Sequence, residues 1–503
     1  MPVHDKVKYH AERHPAQIAV DIAGATLSWQ QLWQSALALY QTLLRERPAG
    51  GSGIVAIAAG NDITFPVAWL AASAQPFTAA IIDPQTPAAQ LNDILHRLNP
   101  DCLLLPAGDQ TLKAQADRLS VRWRDIDGGQ SHPDVSDDSA FTGGMQAGTP
   151  FLINFTSGTT SLPKAFIRSR RSWRASLENG EAIFGLQGGP STLFPGPLSN
   201  GIGLYCLNET LYAGGTFYSP GRWQPESVLA LIARQQIERL VVVPTMIAGF
   251  ARAVGSAACP SLRGLVSAGA KLELNHYRQA RMLFPAARIQ EYYGASELGF
   301  IAVSTPDEAD IQASLATVGQ AFPGVHISIC DDDGKRLSHN QPGTIYIRSE
   351  QIIDRYLWGD EGSAFVKQGA IATAGDIGYL DEKQCLHVIG RRGNMILSGG
   401  NNIYLAEIES AIKSLPGIIE AVVIAVDDEY AGKKMVAIVE AAADDLHLLP
   451  QRCRSVLAKY KQPHQFYHIT RWPLTPGGKI ERAGLEKRIA QHGSSTELTE
   501  LSA

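Results

Sequence analysis

Short apolar runs recur along the first half of the chain, each separated from the next by a segment with helical spacing. The runs 54–59, 79–82, 102–105, 151–155, 240–243 and 265–267 are too short for helices and lack the alternation of a half-wet strand. Stretches such as 30–44 and 225–236 instead place apolar residues every three or four positions. Strands buried on both faces and alternating with helices predict parallel sheets covered on both sides, an α/β fold. Around 317–390 the pattern changes to short strands with turn signals at Asp333-Gly334, Pro342-Gly343 and Asp381-Glu382, which reads as antiparallel β-structure. Beyond it, a helix at 406–415, strands at 419–426 and 434–441, and a helix at 450–457 form a small α+β unit. The boundary is expected near Arg392-Gly393-Asn394, dividing the chain into 1–392 and 393–503. Segment 127–150, rich in Gly, Asp and Ser, reads as a surface loop, and 490–503 as a frayed tail.

Charge and cysteine usage exclude several function classes. With 44 basic and 49 acidic residues the net charge is -5, so no nucleic-acid partner is expected. The six cysteines, at 102, 206, 259, 330, 385 and 453, form no C-x-x-C pair and read as reduced thiols. The N-terminus lacks an apolar leader, and no run is long and apolar enough to span a bilayer, which points to the cytoplasm. A Walker-type G-x-x-x-x-G-K-[ST] loop is absent. Gly51-Ser52-Gly53-Ile54-Val55-Ala56 matches a dinucleotide fingerprint by letters, but it precedes a strand and reads as a turn.

Five short segments carry chemistry. Thr156-Ser157-Gly158-Thr159-Thr160-Ser161-Leu162-Pro163-Lys164 follows a buried strand. As a strand-to-helix connection it would be an ordinary polar turn. With its hydroxyls, its glycine and the lysine it can also cradle a polyanion. Tyr292-Tyr293-Gly294-Ala295-Ser296-Glu297 supplies a carboxylate suited to a magnesium–triphosphate. Thr373-Ala374-Gly375-Asp376 puts an acid on a turn, suited to a ribose diol. Gly390-Arg391 precedes Ser398-Gly399-Gly400-Asn401-Asn402-Ile403-Tyr404, and Pro476-Gly477-Gly478-Lys479-Ile480 sets a lysine on a glycine-rich loop.

Five such segments in this order resemble the adenylate-forming superfamily: acyl-CoA synthetases, adenylation domains of peptide synthetases, and luciferases. The resemblance spans roughly residues 15 to 485. It implies a large N-terminal domain of stacked αβαβα sheets with a β-barrel-like part, and a small mobile α+β C-terminal domain. It also implies a two-step reaction, in which a carboxylic acid and ATP give acyl-AMP and a thiol then takes the acyl group. Carried over, Thr156, Ser157, Gly158, Thr159, Thr160 and Lys164 hold phosphates. Thr160 and Glu297 hold Mg²⁺. Gly269, Ala270, Tyr292, Tyr293, Gly294, Ala295 and Ser296 border the nucleotide and acyl group. Asp376 and Arg391 bind nucleotide, and Lys479 bridges carboxylate and α-phosphate. Asn200, Gly201, Val243 and Ser267 line the acid pocket, Ser398, Gly399 and Gly400 the pantetheine tunnel, and Gly393 is the hinge.

The chain departs from the family at Ser161, usually Gly, at Gly393 and Asn394, and at Asn200, which stands where acyl-CoA synthetases often carry His. Gly201 stands where peptide-synthetase domains place the aspartate that pairs with an amino group. A buried, unpaired ammonium is costly, so a fatty or aryl acid is expected rather than an amino acid. The acceptor is CoA or the phosphopantetheine of an acyl-carrier protein, which share the same arm. A non-catalytic adenylate binder is the third reading. Arg168, Arg170, Arg171 and Arg174 read either as a solvated helix face or as a patch for an acidic carrier protein or a CoA phosphate.

Overall fold

A computed structural model describes residues 3–126, 138–143, 148–156, 163–254, 259–360, 365–391, 395–398, 401–428, 432–441, 443–490 and 498–501. The apolar runs form two large sheets. In the nine-stranded sheet, Ile18–Ile22, Phe217–Ser219, Thr192–Leu193, Arg239–Val242, Gly264–Ala268 and Arg288–Ala295 run parallel side by side. Antiparallel strands close its two edges. In the seven-stranded sheet, Pro150–Thr156, Thr78–Ile81, Ile54–Ile57, Cys102–Pro106 and Trp123–Ile126 are parallel, and Lys164–Ser169 and Arg355–Trp358 extend it antiparallel.

A helix with one apolar stripe covers a sheet from outside, whereas one apolar all round must lie inside. Every residue of the helix Phe65–Ser73 is buried, and the helix Gly201–Ala213 is buried along most of its length. Both share one core with Val20 and Phe217 of the first sheet and Val55 and Ala79 of the second. They are therefore the middle layer of an αβαβα stack. The amphipathic helix Trp29–Arg45 starts at a Ser28/Gln31 capping box, which satisfies orphan amides at its N-terminus.

The region 317–390 is antiparallel as expected: six short strands around Gly343–Arg348, with a ladder that does not close among the described residues. In the small C-terminal unit, Ile418–Asp428, Gly432–Ala441, Gln465–Ile469 and Leu498–Leu501 form one sheet with separate cores on its two faces. All six cysteines are unpaired, four of them buried. No helix among the described residues is long and apolar enough to cross a membrane.

Three expectations are corrected. Part of the tail is not frayed: Leu498–Leu501 adds antiparallel to Gln465–Ile469, and Leu498 is buried. An unpaired sheet edge supplies the backbone partners that the polar sequence did not advertise. Within 127–150, Ser139–Thr142 is a helical turn whose Phe141 is buried against His4, Trp33 and Tyr40. The arginine cluster is neither a solvated face nor a docking patch. Arg168 and Arg170 are buried, Arg174 pairs with Asp5 and Glu178, and only Arg171 is exposed. Arg170 donates to the carbonyls of Thr149, Pro150, Ser73 and Phe77, tying the strand Pro150–Thr156 to the end of the central helix.

Arg170→Met removes all four of these side-chain hydrogen bonds and is predicted to destabilise the protein by about 3 kcal/mol in denaturant unfolding. Arg171→Met should change stability by less than about 0.5 kcal/mol.

Candidate active site

Ligands of open α/β sheets sit in the crevice beyond the carboxyl ends of the parallel strands. The segments singled out from sequence gather there. Thr156 ends the strand Pro150–Thr156, Val243 follows Arg239–Val242, Gly269 and Ala270 follow Gly264–Ala268, and Ser296 and Glu297 follow Arg288–Ala295.

The hydroxyl-rich loop is not a strand-to-helix connection. It joins two antiparallel strands, with Thr156 and Lys164 paired in register. Ser157, Gly158, Thr159, Thr160 and Ser161 lie outside the described residues. At the base of this hairpin, Lys164 Nζ lies 3.2 Å from Asp360 Oδ1. The strand Arg355–Trp358 pairs with Lys164–Ser169 and brings in Tyr356. Its phenol donates to Glu297 Oε1 at 2.5 Å and is also bonded to the Thr156 side chain. Burial, then the Glu297 charge, raise the Tyr356 pKa, so the phenol stays protonated as a donor. The buried Arg168 donates to the Ser296 carbonyl at 2.8 Å and the Gln351 carbonyl at 2.7 Å, fixing the turn that carries Glu297.

Gly294 is exposed, as are Gly269 and Ala270. A Cβ at Gly294 would strike the Gly299 carbonyl at 2.6 Å, so only glycine lets this strand turn back on its partner. Tyr292 packs edge-on against Phe300, and Ala295 is half-buried. Asp376 is held from both sides: Tyr293 Oη donates to Oδ2 at 2.5 Å and Arg391 Nε to Oδ1 at 2.9 Å. Asp376 and Arg391 face each other in register. Each oxygen keeps a second lone pair for a ligand hydroxyl.

Lys479 arrives from the C-terminal unit. A Cβ built at Gly269, where φ is +82°, would lie 3.0 Å from Lys479 Cε and 3.4 Å from Nζ. Thus the lysine stem rests on bare backbone at the mouth of the parallel strands. Burial and then the Arg391 cation lower its pKa. Among the described residues no carboxylate pairs with it. Asn200 precedes the helix Gly201–Ala213 without capping it, and its amide lies over Gly477 of the lysine loop. Gly201 faces open space. Val243 and Ser267 are fully buried; Val243 packs against Gly478 of the lysine loop, and the Ser267 hydroxyl has no partner among the described residues. Ser398 pairs with Asn401 across a two-stranded hairpin, whose Gly399 and Gly400 lie outside the described residues, as does Gly393.

The sequence reading missed Tyr356, Asp360 and the bracing role of Arg168. No local signal marks them, because each acts only through strand pairing. Among the described residues there is no group of three or more acid, His or Cys side chains that could hold a metal ion. A single buried carboxylate at Glu297 fits a hard cation that takes most of its ligands from phosphate and water.

Comparison with known proteins agrees with this geometry. Residues 7–357 match the model of the AMP-binding enzyme family, and residues 407–479 that of the AMP-binding enzyme C-terminal domain. The chain therefore belongs to the AMP-binding enzyme family, within the adenylate-forming superfamily that its motifs resemble. It is 29% identical to an uncharacterised acyl-CoA ligase, YhfT, of Bacillus subtilis, over 96% of this chain and 97% of that one. A putative long chain fatty acid-CoA ligase, VraA, of Staphylococcus epidermidis is 29% identical over 70% of this chain and 74% of its own. The o-succinylbenzoate CoA synthetase MenE of Bacillus subtilis, solved with an acyl-adenylate, shares the fold with a TM-score of 0.81 at 22% identity, covering 99% of each chain.

The Lys479 ammonium loses its proton as pH rises through its lowered pKa. ATP affinity should accordingly weaken at a pH below the ordinary lysine range. Calorimetric titration of ATP against pH should show this alkaline limb in the natural protein, and Lys479→Arg should move it upward.

Proposed function

We propose that this protein is an AMP-forming acid–thiol ligase of the acyl-CoA synthetase type. One observation carries the reading: a lysine with no carboxylate partner among the described residues, delivered from the C-terminal unit onto Gly269 at the mouth of the parallel strands. A cation placed this way calls for an anion.

In the first step an oxygen of the substrate carboxylate attacks the α-phosphorus of ATP. The bond to the β-phosphate oxygen breaks, and pyrophosphate leaves. Two anions must approach each other, and Lys479, bridging carboxylate and α-phosphate, offsets their repulsion. Thr156 and Lys164, with Ser157, Gly158, Thr159 and Thr160, hold the β- and γ-phosphates. Asp376, set by Tyr293 and Arg391, binds the ribose hydroxyls. Magnesium, held by Glu297 and Thr160, would neutralise charge on the departing pyrophosphate. In the second step a thiol sulfur bonds to the acyl carbon, the mixed-anhydride C–O bond breaks, AMP leaves, and the thiol proton passes to solvent.

CoA is the acceptor in this reading, with Ser398, Gly399 and Gly400 beside its arm. A pantetheinylated carrier protein is the alternative, but of the arginines that would have docked one, Arg168 and Arg170 are buried and Arg174 is paired, leaving Arg171 exposed. The acid is fatty or aryl, a range that the long-chain and o-succinylbenzoate ligases among its relatives also span. Gly201, open and uncharged, offers nothing to pair with an amino group. The domain boundary falls at 392/393 with Gly393 as pivot, and the enzyme works in the cytoplasm, where ATP and CoA are found.

Lys479→Ala should abolish pyrophosphate release from ATP and acid while sparing thioester formation from supplied acyl-AMP. The panel should contain fatty, aryl and amino acids, with CoA and carrier protein compared as acceptors and products identified by mass. Equal loss of both half-reactions in a folded variant would contradict the role given to Lys479.

A further inference from the structure

The helix Pro244–Val254 belongs to the N-terminal domain, yet both its ends grip the C-terminal unit. Thr245 and Arg252 are seven residues apart, about two full turns, so they share one face roughly 10 Å apart. At the first turn, Thr245 Oγ1 donates to the carbonyl of Gly478 at 2.5 Å, the residue before Lys479. Val243 and Met246 stand against the same glycine, where a Cβ would lie 3.2 Å from each. At the last turn, Arg252 reaches both oxygens of Glu440, at 2.8 and 2.9 Å. Glu440 also accepts the Trp472 indole N–H at 2.7 Å.

Trp472 is the root of the lysine loop. From there the chain runs to Leu474, which bridges to Ile480, and Thr475 N donates to the Lys479 carbonyl at 2.7 Å. The Thr475 hydroxyl accepts the Lys479 amide at 3.2 Å. The loop is thus a closed hairpin with two fixed points on one helix: its tip through Thr245 and its root through Arg252, Glu440 and Trp472. A rigid loop held at tip and root places its ammonium; held at one point, it pivots.

We propose that Thr245 and Arg252 are positioning residues for the first half-reaction, setting where the Lys479 ammonium meets the reacting anions without touching substrate themselves. The inference rests on the reading of Lys479 given under Proposed function. The thiol step does not use Lys479, so it needs neither contact.

Thr245→Val should slow pyrophosphate release about tenfold, the effect of losing one transition-state-linked hydrogen bond. Thr245→Ser should restore it. Arg252→Glu should slow the same step, and the charge-swapped pair Arg252→Glu/Glu440→Arg should recover most of the loss. Thioester formation from supplied acyl-AMP should stay within about twofold in all of them, a split that general destabilisation does not produce. Natural rates of pyrophosphate release in Thr245→Val and Arg252→Glu would overturn the proposal, as would equal loss of both half-reactions in folded protein. Lys479→Ala is measured beside them. If it retains acyl-AMP formation, the reading of the lysine fails and the clamp falls with it. If it loses that step while Thr245→Val does not, only the clamp fails.

Discussion

An ammonium with no carboxylate partner among the described residues, seated on a glycine between two domains, is the constraint on which the site depends. A carboxylate and a triphosphate repel each other, and water screens that repulsion only while both remain hydrated. A positioned cation can replace the solvent at the moment of reaction. Here it comes from the small C-terminal unit, which has its own cores. Gly269 permits the approach, because its positive φ and missing side chain leave room for the lysine stem.

The acidic groups are placed differently. Glu297 and Asp376 stand on the body of the N-terminal domain, each held by a tyrosine hydroxyl: Tyr356 for the first, Tyr293 for the second. A carboxylate fixed by a neutral donor keeps its charge and its remaining lone pairs. Arg168 bonds to the backbone beneath Glu297 rather than to its carboxylate, so it orients that group without consuming it. In the proposed reaction, the N-terminal domain would present fixed ligands for metal and ribose, and the C-terminal unit the charge that permits attack.

Much of this was legible in the sequence because the chemistry demands particular residue types. Glu297 and Lys479 lie on turns, and Asp376 and Arg391 at the ends of paired strands, where no packing need explains them. The α/β alternation was legible for a similar reason, since strands buried on both faces carry uninterrupted apolar runs. What escaped depends on contacts distant in sequence. Tyr356 is 59 residues from Glu297, and Thr245 is 233 from Gly478. The arginines at 168 and 170 misled because charge near a helix start usually means solvent, whereas these two satisfy buried carbonyls.

The fate of a substrate oxygen tests the central claim most directly. An accepted acid labelled with ¹⁸O in its carboxylate is turned over with ATP and CoA, and the nucleotide and phosphate products are weighed by mass spectrometry. Attack of the carboxylate on the α-phosphorus predicts one ¹⁸O in AMP and none in pyrophosphate. Label in inorganic phosphate with ADP as the nucleotide product, or unlabelled AMP beside labelled thioester alone, would contradict adenylate formation at this site.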